Sequence, residues 1–130
     1  MKIKAVIFDF DEVIIKSYTE HAQAFLETAK KFSLKLDKKA LYKRFGKSAK
    51  EILQELLPDL RGSKRKRFVK EKEISYREII SKKGIKATNN TRELLEFLKN
   101  KKIKCAISSS ASIKNIMIAL KKTKLKKYFK

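Results

Sequence analysis

The stretch Ala5-Val6-Ile7-Phe8-Asp9-Phe10-Asp11-Glu12-Val13-Ile14 decides the fold. A β-branched and aromatic run from Ile3 to Phe8 stops at an acidic turn, the pattern of a parallel strand buried on both faces. In locally extended chain Asp9 and Asp11 point to one side and Phe10 to the other. Two carboxylates therefore address one small volume at the carboxyl end of a strand, which is where open α/β sheets bind their ligands.

Outward from that strand the periodicity changes. Ala22, Phe25, Leu26 and Ala29 recur at helical spacing and predict a helix over 18–32, with Thr19 or Ser17 as its cap. Helical patterns continue over 37–45, 47–57 and 62–83, broken by Gly46, by Pro58-Asp59 and by Gly62-Ser63. Leu94, Leu95 and Leu98 predict another helix over 92–101, which feeds a second short strand, Ile103 to Ile107, opening onto Ser108-Ser109-Ser110. Everything between the two strands is thus expected to be helical. A last helix over about 112–122 carries Ile113, Ile116, Met117 and Leu120 on one face. Strands separated by helices should run parallel through a right-handed crossover. The expected fold is α/β: a partial Rossmann-like parallel sheet of two strands, residues 1–15 and 89–130, with a helical cap, residues 16–88, inserted after the first strand.

Composition narrows the class. With 130 residues, 42% of them hydrophobic, the chain can bury one modest core, and its few glycines and prolines and lack of repeats argue against disorder or a solenoid. The first strand follows Met1 so closely that too few apolar residues are present for a signal peptide or membrane span, so the expectation is a cytoplasmic protein without a membrane partner. Cys105 is the one cysteine, which excludes an internal disulfide, and its apolar setting suits a small buried hydrophobe. The net charge of +21 raises nucleic-acid binding. Against it, the basic residues are 29 Lys to 6 Arg, spread from Lys2 to Lys130, a solvated surface more than an arginine-rich groove reader. The densest clusters, Lys64-Arg65-Lys66-Arg67 and residues 121–130, would still suit a polyanion.

A parallel second strand would bring Ser109 and Ser110 to the sheet edge that carries Asp9 and Asp11. The helix behind the serines would offer free backbone N–H groups and a positive dipole end to an anion. Carboxylates can share a site with a phosphate only if a cation offsets their repulsion, and oxygen ligands of this kind favour Mg²⁺.

Residues 5–14 resemble the first motif of the haloacid dehalogenase superfamily, an apolar strand followed by Asp-x-Asp, and Ile103 to Ser110 resembles its second, an apolar strand ending in Ser or Thr. Ser17, His21, the Gly46-Lys47-Ser48 step and Tyr128-Phe129 are similar in kind and spacing to the helical-cap relatives of β-phosphoglucomutase and phosphoglycolate phosphatase. The resemblance implies a Mg²⁺-dependent phosphate-monoester hydrolase acting on a small phosphorylated metabolite. It makes Asp9 the nucleophile, forming an aspartyl-phosphate, and a metal ligand. Asp11 becomes the general acid and binds the metal through its backbone carbonyl. Ser109 would hold a phosphoryl oxygen with the Ser110 backbone beside it, and His21 and Lys47 would reach substrate from the cap, although both suit ordinary structural roles.

The departures from that pattern are specific. Glu12 replaces a glycine, Lys16 stands where an Asp is common, and Asn89-Asn90 replaces Pro-Gly. The lysine of the third motif and the acids of the fourth normally follow Tyr-Phe, yet no Asp occurs after Asp59 and no Glu after Glu96. The expectation is an incomplete site, inactive alone, completed by another chain or by self-association through open sheet edges. The alternative is a non-catalytic remnant that binds a partner protein or polyanion through its open edge and basic surface.

Overall fold

The computed structural model describes residues 2–130. In chain order the elements are β1 (Ala5–Phe8), β2 (Ile15–Lys16), α1 (Tyr18–Lys31), α2 (Lys38–Tyr42), α3 (Ala49–Leu56), α4 (Gly62–Lys83), β3 (Lys86–Ala87), α5 (Thr91–Asn100), β4 (Lys104–Ile107) and α6 (Ile113–Thr123), then a 3-10 turn at Lys126–Tyr128. They form two compact units, one made of the described residues of Met1–Ser17 with Gly84–Lys130, the other of Tyr18–Lys83.

In the first unit β1 and β4 pair in parallel, Ala5 opposite Lys104 and Phe8 opposite Ile107, which is the expected two-stranded sheet. Its burial differs from expectation. Ile3 is 60% and Ile7 70% exposed, while Val6 and Phe8 are half-buried. A strand is buried on both faces only between two layers, and β1 lies at the end of the strand order. On the edge of β4 away from β1, Phe129 bridges Cys105 in parallel and the Lys130 N–H reaches the Cys105 carbonyl at 3.4 Å. The apolar interior gathers Leu95 and Leu98 of α5, Cys105 of β4, Ala119 and Leu120 of α6, and Leu125. Burial pushes the Cys105 thiol above its ordinary pKa, so this cysteine is the inert apolar group that its setting implied.

The segment between β1 and β4 is not wholly helical. Ile15 and Lys16 pair antiparallel with Ala87 and Lys86, and the Thr88 N–H extends the contact to the Ile14 carbonyl at 3.0 Å. Ile14 and Ile15 are both buried, and the extended pair satisfies the backbone that their burial takes out of water.

In the helical unit α1 packs mainly on α4. Phe25, Ala29, Leu41, Ile52, Leu53, Leu60 and Phe68 make its core. Asp37 caps α2 through the Ala40 N–H at 2.8 Å, and Ser48 with Glu51 forms a reciprocal capping box on α3. α2 is shorter than its periodicity predicts, because the chain turns before Gly46, whose φ of 107° closes the helical path. Among the described residues no helix is long and apolar enough to cross a membrane.

Candidate active site

The ends of β1 and β4 are level. Beyond the last rung, Phe8 opposite Ile107, the Ser108 N–H donates to the Phe8 carbonyl at 2.8 Å, so Asp9 and Ser109 leave the same end of the sheet side by side in register. Asp9 is exposed and its carboxylate is oriented locally, Oδ1 accepting the Phe10 N–H at 2.7 Å. Phe10 is buried, and its carbonyl accepts the Ile14 N–H at 2.8 Å and the Val13 N–H at 3.2 Å, which curls the chain after the strand.

That curl holds Asp11. Half-buried, it accepts the hydroxyl of the fully buried Ser17 on Oδ1 at 2.7 Å, and the Ser17 N–H donates to Glu12 Oε1 at 2.8 Å. The serine that resembled a helix cap therefore binds the acidic turn. Glu12 adopts φ 60°, a left-handed conformation that costs a side-chain-bearing residue about 1–2 kcal/mol, which explains why glycine suits this step.

Ser109 is half-buried, and its Oγ accepts the Ala111 N–H at 3.0 Å, leaving the hydroxyl proton to donate elsewhere; Ser110 is exposed. The first turn of α6 is less open to an anion than expected. Ser112 caps it, taking the Asn115 N–H on its Oγ at 3.2 Å. The structure thus brings together Asp9, Asp11, Ser109 and Ser110 at one end of one unit.

His21 and Lys47 belong to the helical unit. Lys47 is tied in a close contact to Glu55, which also receives Arg44 at 2.8 Å, and these two cations, Lys47 first, hold the Glu55 carboxyl below its usual range. His21 stacks on Tyr76, ring centroids 3.9 Å apart and planes within 3°. The ammonium of Lys72 lies 2.9 Å from His21 Nδ1 and 3.0 Å from Glu73 Oε1, and 4.9 Å from the Phe25 ring centroid. An ammonium has only donors, so Nδ1 accepts and the imidazole proton sits on Nε2. Lys72, only 3% exposed, was missed from the sequence, although it falls four residues after Phe68 and four before Tyr76, on the apolar stripe of α4.

Comparison with known proteins accords with this geometry. The chain belongs to the haloacid dehalogenase-like hydrolase family, which it matches over residues 6–130. It is 29% identical, over 98% of its length, to a phosphorylated carbohydrates phosphatase of Thermotoga maritima, of which it covers 59%. Its fold superposes on the β-phosphoglucomutase of Clostridium difficile with a TM-score of 0.83 at 26% identity, covering 98% of this chain and 60% of that one. For a family IA hydrolase of Entamoeba histolytica the TM-score is 0.82 at 27% identity, covering 98% and 58%. The chain thus spans about three fifths of these relatives, their N-terminal part.

The family is characteristically Mg²⁺-dependent. The Asp9 carboxylate and the Asp11 backbone carbonyl are oxygen donors that suit that ion, while among the described residues no group of three or more His, Cys, Asp or Glu side chains is placed to hold a metal.

Proposed function

We propose that these residues form the nucleophile-bearing part of a phosphate-monoester hydrolase acting on a small phosphorylated metabolite of the sugar-phosphate class. The observation that carries the reading is the Asp9-Phe10-Asp11 turn and the Ser108-Ser109-Ser110 loop leaving one sheet end in register. The names of the two relatives above, a phosphatase of phosphorylated carbohydrates and a β-phosphoglucomutase, support the substrate class.

In this reading the free oxygen of Asp9 attacks phosphorus and the ester P–O bond breaks. Asp11 gives its proton to the leaving alkoxide, and Ser109 donates to a phosphoryl oxygen. Water then attacks the aspartyl-phosphate, Asp11 takes the proton of that water, and inorganic phosphate leaves. Asp9 and the Asp11 carbonyl would hold Mg²⁺, which when bound supplies the positive charge that lets carboxylate and phosphate approach. The Ser17 hydroxyl keeps Asp11 turned toward the site. The lysine and further acids that the resemblance implies are assigned to groups outside these 130 residues.

The test is hydrolysis of p-nitrophenyl phosphate with Mg²⁺ by the chain mixed with a polypeptide carrying the C-terminal part of the Thermotoga maritima relative. Turnover that Asp9→Asn abolishes is expected. Absence of turnover in the mixture, with both polypeptides folded and associated, would sink the reading.

A further inference from the structure

Basic residues concentrate at one place inside the helical unit. Six of the ten residues from Arg61 to Lys70 are Lys or Arg and none is Asp or Glu, and three of the chain's six arginines, Arg61, Arg65 and Arg67, fall here. Arg65 is half-buried and the other five basic side chains are exposed. They run along the first half of α4, well within the continuous stretch Tyr18–Lys83, which holds its core within itself.

Ordinary structural roles account for part of this. Arg61 Nε donates to the Pro58 carbonyl at 3.2 Å and Arg65 Nε to the Leu60 carbonyl at 2.7 Å, fastening the start of the helix, and Arg67 lies over the Phe32 ring at 5.1 Å. Among the described residues none of the six cations is within salt-bridge distance of a carboxylate. The first turn of α4 holds no acid, and its N-terminus is the positive end of the helix dipole, where cations are disfavoured. Lys64 with Arg67, Lys66 with Lys70, and Arg67 with Lys70 are like-charged neighbours at helical spacing, which works against the helix again. Cations set against the dipole and against one another are stabilised by anions from outside.

We infer that this ridge binds the phosphate backbone of a duplex nucleic acid without reading its sequence. From Gly62 to Lys70 it runs about 12 Å at about 1.5 Å per residue, so a single phosphate answers only part of it, while a duplex presents a charge about every 1.7 Å. The planar fork of arginine suits phosphate in particular. The other anionic partners each use a group that the ridge does not offer. An acidic peptide binds through a buried apolar anchor, a helix on a bilayer sinks an apolar face, and single strands stack their bases on aromatic rings. Among the described residues no large hydrophobic side chain in 57–71 is exposed: Leu60 and Phe68 are buried and Val69 is half-buried. The ridge shares no residue with the acidic turn, so its fate is independent of the phosphatase reading.

Fluorescence anisotropy on the 130-residue chain tests it, with a labelled DNA duplex of about two turns and the RNA duplex of the same sequence. Binding to either is expected, with the logarithm of the association constant falling against that of salt at a slope of about −4, as for about four or five neutralised phosphates. Lys64→Gln, Lys66→Gln and Lys70→Gln together should weaken binding about tenfold or more and flatten the slope by about 3. Lys43→Gln, Lys50→Gln and Lys82→Gln remove the same charge from exposed positions of the same unit and should weaken it less than about threefold. Equal weakening by the two triple variants overturns the proposal, because binding then follows overall charge and not the ridge. So does tighter binding of an acidic peptide carrying Leu and Phe, of phosphatidylserine vesicles or of a single strand than of either duplex.

Discussion

The buried hydroxyl of Ser17 donates to the carboxylate of Asp11 across 2.7 Å, joining the first residue after β2 to the turn that ends β1. Removing it leaves a half-buried carboxylate short of one donor. Ser17→Ala should therefore lower stability by about 1–2 kcal/mol, read as a lower urea midpoint at unchanged slope. An unchanged midpoint would mean that water replaces the serine at no cost.

Lys72 separates two contributions that a buried lysine can make. The buried side chain fills space, and its ammonium, 4.9 Å from the Phe25 ring centroid and 5.5 Å from that of Tyr76, also serves His21 and Glu73. Methionine keeps the stem and removes the desolvated charge, so Lys72→Met should stay within about 1 kcal/mol of the wild type, whereas Lys72→Ala, which opens a cavity, should lose about 2–3 kcal/mol. The reverse order would show that charge, and not volume, fastens α1 to α4. Nitrogen chemical shifts should place the neutral His21 proton on Nε2.

Glu96 and Tyr128 give a pH dependence with two limbs. The Tyr128 hydroxyl donates to Glu96 Oε2 at 2.5 Å, which lowers the Glu96 carboxyl from its usual 4.5 and raises the Tyr128 phenol above its usual 10. A carboxyl held low when folded stabilises above its usual value, and that contribution disappears as pH falls through the folded one. A phenol held high stabilises below its usual value and loses its contribution as pH rises through the folded one. Melting temperatures across both limbs should fall less steeply for Tyr128→Phe than for the wild type. Identical profiles would show that the pair contributes nothing.

The two strands, the helical insert and the meeting of Asp9 and Asp11 with the serine loop were legible because each rests on a local signal: an apolar run ending at acids, a 3.6-residue period, a second apolar run ending at hydroxyls. The β2–β3 pair was not, since two residues carry no period and their partners lie far apart in sequence. Ile7 misled for the opposite reason, because an apolar side chain reports the layer it could join, not whether that layer is present. Glu12 and Asn90, at φ 60° and 61°, show what the departures from glycine mean: the backbone keeps the left-handed shape and the side chain tolerates it. Asn does so at smaller cost than Glu.

The register of the parallel sheet also fixes an order in time. Ala5 pairs with Lys104, so β1 leaves the ribosome long before its partner exists, while Tyr18–Lys83 is continuous and finds all of its own core within itself. Closing so long a loop is entropically slow unless the intervening chain has already shortened it. The helical insert acts as that shortening: it can condense first during synthesis, drawing its two ends toward each other, and Asp9 meets the serine loop last, when β4 emerges to receive β1.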